Sequence, residues 1–148
     1  MKTLISFLAA SFVGFTASAQ NNELLFQRYI LVKDALVNSD SKTASAQAAA
    51  LLKNLESYGT ATETQSMITS VKTIATNPDL KAQRKAFAEV SEKMWNLLKS
   101  KGGIQRTVYY QYCPMKKAYW LSQDSVIRNP YYGAQMLTCG SISDKKQP

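Results

Sequence analysis

The sequence predicts a mainly α-helical protein: an up-and-down four-helix bundle with a C-terminal lobe, rich in cysteine and aromatic residues, that contains a short β-hairpin. Three observations predict it. Four successive segments carry apolar residues at helical spacing. The links between them are two to four residues long, and links that short join antiparallel neighbours. After Gly102-Gly103 the pattern changes to β-branched and aromatic residues, and the only two cysteines, Cys113 and Cys139, fall inside the changed region.

The chain opens with the features of a leader. Lys2 supplies a positive charge, Leu4 to Phe15 an apolar stretch too short to span a bilayer, and Ala17-Ser18-Ala19 a small-x-small cleavage pattern. Residues 1–19 are therefore expected to be a signal peptide. The exported chain would begin at Gln20, span no membrane, and reside in the periplasm or outside the cell. No cysteine follows the apolar stretch, which argues against a lipid anchor. Residues 20–148 then form one helical domain: the bundle over 20–101, the motif-bearing lobe over 102–143, and a frayed polar tail over 144–148. That length suits a single domain with its own core, burying about two-thirds of its unfolded surface.

The first helix is expected from about Glu23 to Val37. Phe26, Tyr29, Ile30, Lys33, Leu36 and Val37 share one face, and the stem of Lys33 can lie along that seam. Asn38-Ser39-Asp40-Ser41 stops this helix and caps the next. The second runs from about Lys42 to Ser57 with Ala44, Ala48, Leu51, Leu52 and Leu55 on one face, and its alanines admit a close neighbour. Gly59 suits a left-handed terminator. Thr60 and Glu63 form a capping-box pattern for the third helix, whose face is Met67, Ile68, Val71, Ile74 and Ala75. Asn77-Pro78 reads as N-cap and first residue of the fourth. That helix carries Leu80, Phe87, Val90, Met94, Leu97 and Leu98 and ends at the glycine pair. Met67 and Met94 lie on these apolar faces and are read as core.

In the lobe, Thr107 to Tyr112 reads as a strand ended by Pro114, and Met136 to Ile142 as a second strand. Between them come Ala118-Tyr119-Trp120-Leu121-Ser122, a helix start at Ser122, and an Asn129-Pro130-Tyr131-Tyr132-Gly133 turn. A two-stranded ribbon is marginal in water, so it must lie against the bundle, with Trp120 and the tyrosines as packing surface.

The chain carries a net charge of +8 and no histidine. From residue 99 onward eight Lys/Arg face only Asp124 and Asp144. Such a lobe can meet an anionic partner or lipid headgroups, though scattered charges are also what a solvated surface carries. Nucleic acid is a poor partner for an exported protein. Without histidine there is no imidazole base, no Ser-His or Cys-His nucleophile and no imidazole metal ligand. No Gly-rich phosphate loop is present, and no carboxylates sit at metal-ligand spacing. An enzyme is not expected; hydrolysis of an anionic substrate would need a carboxylate or lysine pocket that the sequence does not display.

What remains is sulfur. Cys113-Pro114-Met115 sets a thiol and a thioether two residues apart, and Met136 and Cys139 repeat the pair at i, i+3. Two thiolates and two thioethers form a soft donor set, which selects Cu(I) over hard ions and over zinc. Alternatively Cys113 and Cys139 pair as a disulfide in an oxidising compartment, which would stabilise by roughly 3–4 kcal/mol, with Met115 and Met136 as packing. A bridge has no thiolate, so the two readings exclude each other. The residues alone favour the bridge, or two reduced packing cysteines, and the charge of Lys116 and Lys117 tells further against a bound cation. The aromatic cluster, with Tyr112, Trp120, Tyr131 and Tyr132 as candidate partner-binding residues, is either a ligand platform or the small core that joins the lobe to the bundle.

Taken together, Tyr109-Tyr110-Gln111-Tyr112-Cys113-Pro114-Met115, Trp120-Leu121-Ser122, Ile127-Arg128-Asn129-Pro130-Tyr131-Tyr132-Gly133 and Met136-Leu137-Thr138-Cys139-Gly140-Ser141 resemble the signature of a Bacteroidetes exported family, the domain of unknown function 3347. Tyr29 to Val37 and Gln83-Arg84-Lys85-Ala86-Phe87 are similar to it too, so the resemblance covers nearly all the chain after the leader. It implies a largely helical fold, found alone in exported proteins or attached to periplasmic adaptor subunits of heavy-metal efflux systems. Cys-Pro-Met also resembles the core of short heavy-metal-binding modules of copper and silver export, which implies Cys113, Met115, Met136 and Cys139 as ligands. Those modules often carry a histidine beside that core. Here the flanks are Tyr112 and Lys116, so a site would be all-sulfur or completed by a partner chain. With the resemblance, metal handling stands level with the structural reading. The function carried forward is an exported, non-enzymatic protein that binds or relays a soft metal, Cu(I) first, with a periplasmic adaptor or other efflux component as partner. The alternative is a non-metal protein-interaction module in which Cys113 and Cys139 form a structural disulfide.

Overall fold

The computed structural model describes the backbone of residues 14–58 and 62–148. Most of the expected leader, and with it Lys2 and the start of the apolar stretch, lies outside the described residues, as do Gly59 and Thr60. Four helices follow in order among the described residues: α1 (Gly14–Val37), α2 (Ser41–Tyr58), α3 (Thr62–Thr76) and α4 (Leu80–Lys101). Each packs on the next, and α4 also reaches α1 and α2. None is long and apolar enough to cross a membrane among the described residues.

The seams that helical spacing marks out are the core. Phe26, Tyr29, Ile30 and Leu36 of α1, Ala44, Ala48, Leu51 and Leu55 of α2, Met67, Val71 and Ile74 of α3, and Phe87, Val90, Met94, Leu97 and Leu98 of α4 are all buried. Lys33 is buried as well, with its ammonium 2.9 Å from Asp34. The α1–α2 turn closes as a helix stop and a cap in one. Ser39 takes a left-handed conformation (φ 56°), the Asp40 amide donates to the Ala35 carbonyl at 2.9 Å, and Asp40 Oδ1 accepts the Thr43 amide at 2.9 Å.

The start of α4 corrects the sequence reading. The N-cap is Asp79, whose Oδ2 accepts the Ala82 amide at 2.9 Å, and the helix begins at Leu80, not Pro78. Asn77 instead accepts the Asp79 amide on its own side chain at 2.9 Å. Two cap-forming residues, one on each side of Pro78, compete here, and the one that reaches the N3 amide sets the boundary. Behind this corner the buried Gln83 donates to the carbonyls of Ser41 (3.0 Å) and Asn77 (2.9 Å) and to Ser45 Oγ (2.9 Å), fixing the start of α4 against its two preceding neighbours.

The lobe is a three-stranded antiparallel sheet in the order β2-β1-β3, with β1 (Val108–Cys113), β2 (Ala118–Ser122) and β3 (Ser141–Lys146). The strand expected over Thr107 to Tyr112 is β1, but its hairpin partner is β2, a segment the sequence reading did not assign as a strand: Tyr109 pairs with Ser122 and Cys113 with Ala118. The expected second strand over Met136 to Ile142 is displaced: Gly133–Met136 is a 3-10 turn, and β3 takes in the tail from Asp144 that the sequence leaves frayed. The reason is that β3 is a polar, exposed edge strand without apolar alternation. Its place comes from backbone pairing with β1 and from the Lys99–Asp144 ion pair at 3.3 Å.

Both faces of the sheet are covered. Toward the bundle, Tyr110 stacks between Trp95 of α4 and Tyr119, each ring centroid 4.6 Å away. The Leu121 amide donates to the buried Tyr29 hydroxyl at 3.0 Å, which also meets Ser91 Oγ at 2.7 Å. Over the other face runs the segment 123–140. Gln111 Nε2 donates to the Asp124 carbonyl at 3.2 Å from beneath it, and alternation along β1 puts Cys113 on the same side as Gln111.

Candidate functional site

The sulfur motifs meet through one side chain. Asn129 is fully buried. Its Nδ2 donates to Cys113 Sγ at 3.1 Å and to the Cys139 carbonyl at 2.7 Å, and its Oδ1 accepts the Tyr131 amide at 2.8 Å. Its backbone amide donates to the Leu137 carbonyl at 2.8 Å, and its carbonyl accepts the Gly133 amide at 3.1 Å. A single carboxamide thus satisfies both ends of the crossing segment and ties it to β1.

The four sulfurs are differently placed. Cys113 is fully buried under the crossing, and Cys139, near the end of the crossing segment, is half-buried. Both are free thiols, so the expected alternative of a Cys113–Cys139 disulfide finds no support. Met115 stands exposed on the β1–β2 turn. Met136 is half-buried at the end of the 3-10 turn, where its carbonyl accepts the Cys139 amide at 3.1 Å. Among the described residues no group of three or more His, Cys, Asp or Glu side chains gathers as a metal site.

The four candidate partner-binding aromatics separate. Trp120 is wholly buried and Tyr131 nearly so, with Trp120 edge-on to Tyr131 at 6.1 Å and Tyr131 against Phe87 at 6.2 Å. Tyr131 thus bridges Trp120 of the lobe and Phe87 of α4. Burial raises the Tyr131 phenol well above its ordinary pKa, and its hydroxyl donates to the Tyr119 carbonyl. Tyr112 and Tyr132 keep accessible surface. The cross-strand neighbours Gln111 and Trp120 leave Oε1 and Nε1 without hydrogen-bond partners, so the layer under the crossing is incompletely satisfied.

The Asn-Pro-Tyr-Tyr-Gly turn is a latch onto the helices. Arg84 of α4 donates through Nε to the Pro130 carbonyl at 2.8 Å and through Nη2 to the Leu36 carbonyl and Ser39 Oγ, each at 3.0 Å. Partial burial lowers its pKa. Gly133 adopts φ +57°, and a Cβ there would sit 2.6 Å from Ser39 Oγ and 2.7 Å from the Val37 carbonyl. Only glycine allows this approach.

Where the latch meets α4, an open cleft of about 790 Å³ lies between the first turns of that helix and the lobe. Lys81, Arg84, Lys85 and Lys116 line it, with Tyr131 and Tyr132 among its apolar walls. The sequence reading names Arg84 and Lys85 only within a stretch of family resemblance and Lys81 not at all, and gives none of them a role. Their i, i+3, i+4 spacing puts three cations on one face of α4, a signal the sequence does contain.

A family model described as "Protein of unknown function (DUF3347)" matches residues 25–106, more than half of the chain. The match covers the second half of α1 and all of α2, α3 and α4 and stops just short of β1, so both sulfur motifs lie beyond it. No curated protein and no solved structure matches.

Proposed function

The chain belongs to the DUF3347 family of proteins of unknown function, and we propose that it is an exported, non-enzymatic protein that binds or relays a soft metal ion, Cu(I) before others. It works beside a heavy-metal efflux apparatus, with a periplasmic adaptor or similar component as partner, and its helices form an up-and-down bundle. The observation that supports the reading is Asn129, whose amide donates both to the Cys113 thiol and to the backbone carbonyl of Cys139, two unbridged cysteines, with a thioether near each in sequence. Thiolate and thioether donors suit Cu(I) and leave no place for a hard cation. Exposed Met115 and half-buried Cys139 and Met136 are the first donors a metal would reach. Cys113 lies behind the Asn129 carboxamide and joins only when that amide gives up the sulfur. Thiolate charge offsets Lys116 and Lys117.

The test is competition for Cu(I). The reduced protein without residues 1–19 is titrated anaerobically into a coloured Cu(I)–bathocuproine complex. The expected result is withdrawal of one equivalent of copper with protection of both thiols from labelling, and loss of that withdrawal in Cys113→Ser/Cys139→Ser. No withdrawal, or withdrawal unchanged in the double variant, overturns the reading. A second reading, a module that docks a protein partner, has one observation in its favour: Lys116 lies over the Tyr132 ring at 5.0 Å on the accessible side of the lobe. Co-purification of a stable partner with the wild type but not with Tyr132→Ala, without copper withdrawal, would favour it.

A further inference from the structure

We propose that the cleft between the first turns of α4 and the lobe is a binding site for a small organic anion, one with a phosphate, sulfonate or carboxylate head and an apolar or aromatic body. Three observations converge. The cleft's volume of about 790 Å³ falls in the range of sites that enclose a small organic molecule. Four cations line it against one carboxylate, Asp79, which is occupied in capping the Ala82 amide. None of the four forms an ion pair among the described residues, where the pairs formed are Lys33–Asp34, Lys99–Asp144 and Arg106–Glu23. Like charges held together in a concavity focus a positive potential and repel one another unless an anion arrives. The cleft also sits at the N-terminal end of α4, whose dipole adds to that field.

The arrangement divides into a fixed and an adaptable part. Arg84 is immobilised through Nε and Nη2 on the Pro130 carbonyl, the Leu36 carbonyl and Ser39 Oγ. Lys116 is held over the Tyr132 ring at 5.0 Å. Lys81 and Lys85 are exposed and free to close on a ligand's head group. Leu80, Ala88, Ala118 and the two tyrosines supply an apolar wall. A head group alone would leave that wall uncovered, so the ligand needs a body as well as a charge.

The test titrates the full chain after residue 19 with phenyl phosphate, followed by amide correlation NMR spectra. Inorganic phosphate and phenol serve as the two halves of the probe. Saturable shifts are expected at residues 79–88, 116–118 and 131–135, with phenyl phosphate tighter than either half and binding that weakens as salt rises. Lys81→Glu/Lys85→Glu should weaken it on the order of tenfold or more. These side chains are exposed, so the fold should survive, and an unchanged thermal midpoint confirms it. Lys53→Glu, on the exposed surface of α2, should change nothing. The proposal is overturned by shifts that do not saturate, by shifts scattered over distant lysines, by equal weakening in Lys53→Glu, or by inorganic phosphate binding as tightly as phenyl phosphate. It is also overturned, in favour of a docking surface, if phenyl phosphate fails while an acidic peptide saturates the same residues. No thiol takes part, so this outcome is independent of the copper titration.

Discussion

Replacing Asn129 by alanine should detach the crossing segment while leaving the helices in place. The carboxamide makes three hydrogen bonds, to Cys113 Sγ, to the Cys139 carbonyl and from the Tyr131 amide. Removing it leaves a peptide N–H and a peptide carbonyl without partners in a covered layer. A group orphaned in that way costs about 1–3 kcal/mol. The sulfur is a weak acceptor and adds less, and the space vacated by the amide adds about 1 kcal/mol. The expected loss is about 3–7 kcal/mol, a large share of the 5–15 kcal/mol typical of a domain. Urea unfolding followed by tryptophan fluorescence and far-UV circular dichroism measures it. Thiol labelling in a Cys139→Ser background adds local resolution, because it reports Cys113 alone. Wild-type Cys113 should react slowly, being fully buried, and in Asn129→Ala its labelling should speed up more than global unfolding explains. A stability change below about 1 kcal/mol, or an unaltered Cys113 labelling rate, refutes the idea that this side chain holds the lobe together.

Gly133→Ala should destabilise by about 2–4 kcal/mol in the same urea assay, because its Cβ would strike the Val37 carbonyl, which is backbone and cannot move aside; a neutral result means the latch can shift. Tyr29→Phe should cost about 1–3 kcal/mol by stripping the Leu121 amide and Ser91 hydroxyl of their shared partner, and hydrogen exchange at Leu121 should rise well above that of its neighbours; unchanged exchange there would count against docking of β2 on α1. Burial, then the nearby charge of Glu92 and of Tyr119, pushes the Tyr110 phenol up to about 12, and burial also raises Tyr29 and Tyr131 well above the ordinary value. An ordinary tyrosine ionises near pH ~10. Below that, both folded and unfolded chains hold their phenol protons and the full stability is present. Above it the unfolded chain releases protons that the folded chain keeps, so stability should fall as the pH climbs from about 10 toward 12. Phenolate absorbance, read beside circular dichroism, should show these tyrosines ionising late and together with unfolding; independent titration near ~10 with the fold intact contradicts it.

The bundle was legible because its signal is local. Apolar residues three and four apart mark a buried face whatever that face meets, and Met67, Val71 and Ile74 of α3 are buried where their spacing puts them. The start of α4 was less legible, since Asn77 and Asp79 are both good caps and only the geometry of the Ala82 amide chooses. In the lobe the limits were sharper. β1 is written in β-branched and aromatic residues, but β2 was not read as a strand, and β3 is polar and exposed, its pairing with β1 coming from backbone groups that every sequence carries. The sulfur motifs stood out as residues, but burial of Cys113 follows from which face of β1 the crossing segment covers, and exposure of Met115 from its place on the β1–β2 turn.

From its residues alone this chain settles a mainly helical body, the helical seams, and the position of its unusual chemistry after the glycine pair. Tertiary structure decides what that chemistry touches. It turns Asn129, one polar residue in a turn, into the hub between two distant segments. It also brings three cations of α4 and one of the hairpin turn around a common cleft. Periodicity encodes burial, which each element carries by itself; hydrogen-bond partners and cavities belong to pairs of segments far apart in the chain, and they exist only once the chain has closed.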